Sequence, residues 1–248
     1  MKISVKLLVT FFLVFILSFT PCMAANINAS SWAKANIEKA LSEGLISKAQ
    51  ASSATSEMKR KDVCDLAVNF YKLIKKSLPE TGESSFKDYN NKNADISQEL
   101  GIMSGTDKNI FEPEGYVTRQ QIAVIVNNTL KACGITNLKE ASHNFKDNSN
   151  IASWAVSSVY TLKNYGILNG DNGYFKPNDI VTIEQAVTTF LNAKSNINFD
   201  GGENNQNGDG VFKIDDTTIS IGESKDSIIK KFGQPKRIDT TKNEFERY

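Results

Sequence analysis

The sequence predicts a mainly α fold in which three similar helix–loop–helix units pack on one another. The first observation is an internal repeat, because Gly166 follows Trp154 by twelve residues just as Gly44 follows Trp32. The second is that apolar side chains recur at helical spacing along the segments that follow. The third is that each unit is too small to bury its own apolar face, so the copies must share one core.

The third copy shows the unit most completely. Its first helix is predicted to end at Gly166, a C-cap candidate. A turn at 169–173 leads to the Phe-Lys-Pro step at 175–177, where the proline prevents a premature helix. The second helix is predicted to begin after Thr182, which forms a capping box with Gln185.

The other two copies depart from this pattern. The middle copy repeats the capping box with Thr118 and Gln121, but it has no Trp, and its first helix is expected to be shorter by about a turn and a half. The first copy keeps Trp32 but lacks both the Phe-x-Asp start and the Phe-x-Pro step. The positions assigned to the core along the second helices are Val63, Leu66, Ala67, Phe70, Ile122, Ile125, Val126, Leu130, Ala186, Thr189 and Phe190.

The ends of the chain differ from the repeats. Residues 1–24 have the layout of a secretory signal peptide, with two lysines before an apolar run that is too short to span a bilayer comfortably. Cleavage after Ala24 is expected, and lipidation at Cys22 is disfavoured because the residues before it are not small. The segment 196–211 is predicted to be a flexible linker rather than a calcium loop, because it lacks alternating oxygen ligands.

Charge and composition argue against several classes of function. The full chain has a formal net charge of +1 and stays nearly neutral without the signal peptide, so no strong field draws it to nucleic acid or to a membrane. The only histidine is His143, so no histidine-based metal site is expected. No catalytic constellation is present, and neither enzymatic activity nor a cofactor or metal is predicted.

Cys64 is expected to be a buried apolar side chain, and a Cys64–Cys133 disulfide is the alternative left open.

The recurring motifs resemble those of S-layer homology repeats. The motifs are Phe-x-Asp at 86–88 and 145–147, Gly-Ile-x-x-Gly at 101–105 and 166–170, and a Phe-x-Pro step followed by a Thr-Arg-like start of the second helix. The resemblance covers about residues 26–195 and divides them into a divergent repeat at 25–80 and two further repeats at 81–138 and 139–195. It implies a pseudo-threefold helical bundle with grooves between copies, attached non-covalently to the wall of Gram-positive bacteria.

The resemblance also implies a ligand and a set of binding residues. Such repeats bind a secondary cell wall polysaccharide, which often carries a pyruvate ketal. Arg60 and Arg119 occupy the arginine position that opens the second helix, where a guanidinium and free backbone N–H groups suit a carboxylate. Ile183 replaces the arginine in copy three, so at most two grooves are expected to be competent. The expected binding residues are Arg60, Arg119, Trp32, Trp154, Thr118, Gln121 and Asp62.

Two pairs of side chains and the C-terminal segment complete the prediction. Trp32 and Trp154 are left open between the core and the wall of a groove. Asp88 and Asp147 are expected to cap the first helices rather than to contact the ligand. Residues 212–248 resemble the start of the α/β domain that precedes CAP (cysteine-rich secretory/pathogenesis-related-1-like) domains, with a strand, a capped helix and a Gly-Pro turn.

Two functions are left open by the sequence. In the first, the chain is a secreted, non-enzymatic anchor in the cell wall or S-layer, and it carries a cargo domain that is incomplete here. In the second, the repeats target a wall-active surface enzyme or CAP-domain protein whose functional C-terminal domain would follow Tyr248. No membrane contact is expected in either case once the signal peptide is removed.

Overall fold

The chain is mainly helical, as predicted. A computed structural model describes residues 26–82 and 84–199, together with the backbone of 211–214 and 217–220. The α-helices are α1 (Lys34–Ser42), α2 (Lys48–Ser52), α3 (Arg60–Lys75), α4 (Lys92–Glu99), α5 (Arg119–Ala132), α6 (Ser153–Asn164) and α7 (Ile183–Asn196). A 3-10 turn, Asn148–Asn150, precedes α6, and an antiparallel hairpin joins β1 (Val211–Ile214) to β2 (Thr217–Ser220).

Each copy contributes a first helix and a longer second helix, joined by a connector. In copies two and three the connector is an irregular loop whose tight turn is closed by a backbone bridge. In copy one the connector contains α2 instead, capped by Ser47 and Gln50. The shorter first helix of copy two is confirmed, because α4 has eight residues whereas α6 has twelve.

The helices form a closed ring of three copies. The first helix of each copy packs on the second helix of the preceding copy, so that α4 packs on α3, α6 on α5, and α1 on α7. The last pair joins the two ends of the repeat region, through Asn36 and Thr188 (3.1 Å) and through an ion pair between Lys194 and Glu43 (2.7 Å). The three second helices also pack on one another. This is the pseudo-threefold bundle that was expected.

A ring of backbone hydrogen bonds lies where the three second helices begin. Met58, Val117 and Val181 occupy the same position, two residues before the first residue of α3, α5 and α7. Their N–H groups donate in a circle, from Met58 to Val181 (2.8 Å), from Val181 to Val117 (3.0 Å) and from Val117 to Met58 (3.0 Å). All three side chains are buried. Three segments that are distant in sequence are thereby joined at one point of the bundle.

The buried apolar side chains of the described residues form one core that runs through all three copies. Every position assigned to the core along the second helices is buried. Phe70 and Phe190 link copies one and three, with ring centroids 5.3 Å apart. Cys64 and Cys133 are buried free thiols, and burial raises the pKa of each to about 12. The alternative of a disulfide between them is therefore wrong.

Several predicted segments lie outside the described residues. These are the signal peptide at 1–24, most of the linker at 196–211 and most of the segment 212–248. Of the last segment, only the backbone of the hairpin is described, and β2 overlaps the strand predicted from Thr218. Within residues 26–82 and 84–199, the helices are all too short or too polar to cross a membrane.

Candidate functional site

The N-terminus of each second helix docks against a connector from another copy. The first two N–H groups of α3 donate to the carbonyls of Gly115 and Pro113, those of α5 to Asp179 and Pro177, and those of α7 to Ser56 and Ala54. These are groups that a helix leaves unpaired unless something outside it accepts them. The expectation that they are free to bind an anion is wrong, because neighbouring copies already use them.

Arg60 and Arg119, the first residues of α3 and α5, are held in the same way by the following copy. Their Nε atoms donate to the carbonyls of Phe111 and Phe175, both at 2.8 Å. Their Nη2 atoms donate to the carbonyls of Ser104 and Asn169, at 3.0 and 2.9 Å. Each guanidinium also lies over the ring of the same phenylalanine, with its Cζ 5.0 and 5.1 Å from the centroid.

The two arginines keep unused hydrogen-bonding capacity. A guanidinium has five N–H donors, and these contacts use two of them. The other donors of Arg60 and Arg119 have no hydrogen-bond partner among the described residues. Partial burial lowers the pKa of both guanidinium groups, but an arginine stays charged at neutral pH. Each site thus offers a positive charge with donors suited to a carboxylate.

Asp88 and Asp147 hold the loop that carries those phenylalanines. The two carboxylate oxygens of Asp147 accept the N–H groups of Phe175 (2.8 Å) and Lys176 (2.7 Å), and Asp88 does the same in copy two. Hydrogen bonds from the backbone lower the pKa of Asp88, and they also lower the pKa of Asp147 although burial opposes the shift. The expectation that these aspartates cap first helices is wrong, because α4 is capped by Asn91 and neither carboxylate bonds to a helix start.

The first arginine lies in a groove with a volume of about 520 Å³, here called the Arg60 groove. It brings together Arg60 of copy one, Gln121 of copy two and Trp154 of copy three. Its other lining residues are Ile102, Met103, Ser104, Gly105, Thr106, Val124, Ile125 and Asn128. Three predicted site residues, one from each copy, therefore meet in one place.

The second arginine lies in a groove of about 310 Å³, here called the Arg119 groove. It combines Arg119 of copy two with Gln185 of copy three, which matches Gln121 in the repeat. An exposed ion pair between Lys176 and Asp171 (2.9 Å) also lines it. Trp32 is not among its lining residues. The two grooves thus share their arginine and glutamine but differ in their other side chains.

The remaining predicted site residues have different surroundings. Trp32 and Trp154 are each 57% exposed, so the core interpretation is wrong for both. Thr118 caps α5, with its N–H donating to Oε1 of Gln121 at 2.8 Å, and this confirms the predicted capping box. Burial raises the pKa of Asp62 in the first turn of α3. Neither Thr118 nor Asp62 lines either arginine groove.

The junction between copies three and one lacks both partners of the arginine contact. Ile183 stands at the arginine position and is only 4% exposed. Ala54 accepts the same helix N–H bond as the two prolines of the Phe-x-Pro steps, which places Ser52 at the phenylalanine position. The arginine and the phenylalanine beneath it are therefore absent together, and an aliphatic side chain replaces the cation.

Two further features were not predicted from the sequence. The sequence predicted Gly105 and Gly170 only as the second glycines of the Gly-Ile-x-x-Gly motifs, yet a Cβ atom on either would lie 2.5 Å from a carbonyl oxygen of the adjoining turn. Gly105 lines the Arg60 groove and Gly170 lines the Arg119 groove. Glycine is required at both positions because a side chain would collide with the adjoining turn. The signal that pointed to them was the second glycine of the Gly-Ile-x-x-Gly motif.

An asparagine nine residues after the start of each second helix is the other missed feature. In each copy it donates to the carbonyl of the residue after the glycine that ends the first helix. The bonds run from Asn69 to Leu45 (3.1 Å), from Asn128 to Ile102 (3.3 Å) and from Asn192 to Ile167 (3.2 Å). The asparagine recurs in all three copies, including the first. Copy one therefore has the same internal tie as the others, although its connector differs.

The histidine and the acidic side chains do not form a metal site in the part of the chain that the structure describes. No group of three or more His, Cys, Asp or Glu side chains there is placed to hold an ion. His143 instead contacts Glu140 at 2.9 Å and stacks on Tyr160, with ring centroids 4.1 Å apart.

Comparison with known protein families matches two segments, residues 85–123 and 144–187, to the S-layer homology domain. These segments include most of copies two and three, and copy one lies outside them. The chain therefore contains an S-layer homology domain, which is a non-catalytic module that binds cell-wall polysaccharides. Its presence indicates a protein associated with the cell wall or cell surface. No curated protein matches the chain.

Proposed function

We propose that the chain anchors a secreted protein to the bacterial cell wall by binding a secondary cell wall polysaccharide in the grooves between three repeats. The observation that carries the proposal is the Arg60 groove, in which an arginine, a glutamine and an exposed tryptophan converge from three copies. In this proposal residues 25–80 form a divergent S-layer homology repeat beside those at 81–138 and 139–195.

The chemistry of the Arg60 groove suits an acidic sugar. The unused donors of Arg60 pair with a carboxylate, such as that of a pyruvate ketal on the polysaccharide. The amide of Gln121 bonds to sugar hydroxyls, and the exposed ring of Trp154 packs against the apolar face of the pyranose. The aliphatic floor of the groove excludes water and strengthens the charged contact.

The Arg119 groove provides a second contact for the same polymer. Two sites on one domain raise the retention of a repeating ligand, because the second contact becomes intramolecular. Thr118 contributes by capping the helix that carries Arg119 and Gln121, rather than by touching the sugar. Trp32 is an exposed aromatic side chain on the adjoining copy, and Asp62 is not part of the proposed site.

The first test is binding to purified peptidoglycan sacculi, either with their secondary polymer or after its chemical removal. We expect the wild-type protein to sediment only with polymer-bearing sacculi, and Arg60→Ala combined with Arg119→Ala to abolish this. The matched control is Lys34→Ala with Lys39→Ala, which removes the same charge from two exposed positions on α1.

Thermal unfolding must accompany that test, because both arginines also bond to carbonyls of the next copy. A double variant that stays folded and still binds like the wild type would overturn the site assignment. Sedimentation with stripped sacculi as well would overturn the choice of ligand.

The proposal assigns residues 1–24 to a signal peptide, 196–211 to a linker and 212–248 to the beginning of a CAP-associated-like domain. The last assignment connects to the alternative function, in which the repeats target a wall-active enzyme or CAP-domain protein. Reading the gene beyond the codon for Tyr248 tests it. An open frame that encodes a hydrolase or CAP domain would favour targeting of an enzyme over a simple anchor.

A further inference from the structure

Two buried polar side chains hold the starts of the helices that carry the exposed tryptophans. Oε1 of Gln120 accepts the N–H of Ala152 at 3.0 Å. The carboxylate of Glu184 accepts the N–H of Ser30 at 2.8 Å and its hydroxyl at 2.7 Å. Ala152 and Ser30 each lie two residues before a tryptophan. Gln120 is 8% exposed and Glu184 is 5% exposed, so both acceptors are buried, whereas the donors Ala152 and Ser30 are half-buried.

Each contact replaces half of a capping box with a side chain from another copy. In a capping box, a Glu or Gln three residues after the N-cap accepts the N–H of the N-cap residue. The first turns here begin at Ser30 and Ala152, whose carbonyls accept the first helical N–H groups at 2.8 to 3.0 Å. The residues three positions later, Ala33 and Ala155, are fully buried and have no side chain that could accept this N–H. The acceptor is supplied instead by the neighbouring second helix.

The remaining junction has neither the acceptor nor the tryptophan. Lys61 stands at the position of Gln120 and Glu184, and a lysine can only donate. It pairs with Glu114, and the adjoining helix α4 is capped by its own Asn91. Copy two, which contains α4, has no tryptophan. Across the three junctions, the buried acceptor and the exposed ring occur together or not at all.

We propose that Gln120 and Glu184 are positioning residues for sugar recognition. They fix the backbone from which Trp154 and Trp32 project, and so set where these rings stand against the bound polysaccharide. Neither residue touches the polymer, and the inference rests on the proposed function for its ligand. Without the acceptor, the N–H of residue 152 or 30 would lose its partner at a partly buried contact, and the first helical turn would loosen.

The test isolates Trp154 by its fluorescence. The chain has two tryptophans, so a Trp32→Phe parent leaves Trp154 as the single probe. In that parent, Gln120→Met removes the acceptor at similar volume and Gln120→Glu keeps it. Both variants also lose the Nε2 donor that bonds to Asn178 at 2.9 Å, so this loss does not distinguish them. Lys61→Met is the matched control at the junction without a tryptophan. The readouts are the fluorescence anisotropy and acrylamide quenching of Trp154 in the free protein, and its affinity for isolated wall polysaccharide.

We expect Gln120→Met to lower the anisotropy, to increase quenching and to weaken polysaccharide binding about tenfold. Gln120→Glu should retain the parent's values, and Lys61→Met should leave Trp154 unchanged. Parent-like anisotropy and affinity in Gln120→Met would overturn the proposal. An equal effect of Lys61→Met would also overturn it, because that result would indicate general loosening of the bundle.

A second variant removes the same hydrogen bond from the other side. Ala152 has φ −60°, which proline adopts without strain, so Ala152→Pro deletes the N–H donor alone. Combining it with Gln120→Met should cost no more than Gln120→Met by itself, which also loses the bond to Asn178. Full additivity would count against the shared bond. If the parent does not bind the polysaccharide, the proposed function fails, whereas the anisotropy series still decides whether Gln120 positions Trp154.

Discussion

The two junctions that contain an arginine differ from the third in their side chains, although the second helix makes the same backbone hydrogen bonds at all three. At all three, the first N–H of the second helix donates to a neighbouring carbonyl, at 2.8 Å for Arg60, 2.9 Å for Arg119 and 2.9 Å for Ile183. The third junction makes this contact without a cation or a phenylalanine. The backbone docking therefore does not depend on the arginine.

The difference separates two roles of the arginine. Nε and one Nη2 donor tie one copy to the next, and the third junction shows that an aliphatic side chain can stand in the same place. The donors that remain serve no contact within the described residues. The unpaired N–H donors of the guanidinium groups, rather than the hydrogen bonds between copies, therefore distinguish the grooves at the first two junctions.

The largest expected effect comes from the phenylalanines beneath the arginines. Phe111→Ala or Phe175→Ala should lower the free energy of unfolding by about 3–5 kcal/mol, because both rings are completely buried. Urea denaturation of each variant measures this. Ser52→Ala, at the matching position of the third junction, is the control and should have little effect. A comparable loss in the control would mean that the three junctions do not differ as described.

The next effect concerns the tie between copies. Arg119→Ala leaves two carbonyl groups without their donor, and because water reaches this edge we expect a cost of about 1 kcal/mol in unfolding free energy. Arg119→Lys keeps the charge but not the forked geometry, and it should recover only part of the loss. Full recovery with lysine would show that charge alone holds the junction.

Acid should weaken the two junctions in which Asp88 and Asp147 hold the loops of Phe111 and Phe175. An aspartate in an unfolded chain has a pKa of about 3.9, and the pKa values of Asp88 and Asp147 are lower than usual in the folded protein. Their contribution to stability is therefore present above about pH 4 and is lost as the pH falls through the folded values.

Asp147→Asn, which does not titrate, tests this prediction by denaturation over a series of pH values. Its unfolding free energy should depend less steeply on pH below about 4 than that of the wild type. Asp179→Asn removes an exposed carboxylate that accepts no backbone N–H and serves as the control. If the unfolding free energy of Asp147→Asn depended on pH as steeply as that of the wild type, the role of Asp147 in holding this loop would be contradicted.

The smallest effect is expected at the exposed ion pairs of the first junction. Glu114 contacts Lys59 at 2.6 Å and also pairs with Lys61, and its hydrogen bond to Lys59 is the main cause that lowers its pKa to about 2. Glu114 is exposed and the two lysines are half-buried, and ion pairs at the surface add little to stability. Glu114→Gln should leave the melting temperature unchanged in calorimetry. A clear drop would mean that this junction relies on charge more than on its backbone contacts.

Features with a local pattern could be predicted from the sequence. The capping box of Thr118 and Gln121 depends on residues three apart, and the helical core depends on spacing along one helix. Both follow from rules that need no knowledge of the neighbouring copy. The S-layer homology motifs of copies two and three were recognised for the same reason.

Features that join copies could not be predicted in this way. Asp147 resembles a helix cap in sequence, but its partners lie at 175 and 176. Trp32 and Trp154 sit on helices whose outward face depends on which copy packs behind them, so helical position alone left both alternatives open. The convergence of Arg60, Gln121 and Trp154 likewise depends on how the ring closes.

The circle of hydrogen bonds formed by Met58, Val117 and Val181 limits the number of copies that one bundle can contain. Each of the three segments gives one hydrogen bond and receives one, so nothing is left over to recruit a fourth. A fragment with two copies would keep one bond of the circle and leave a donor and an acceptor exposed, ready to be completed by a segment of another molecule. Stronger attachment therefore requires additional complete trios, since a single extra copy has no place in the circle.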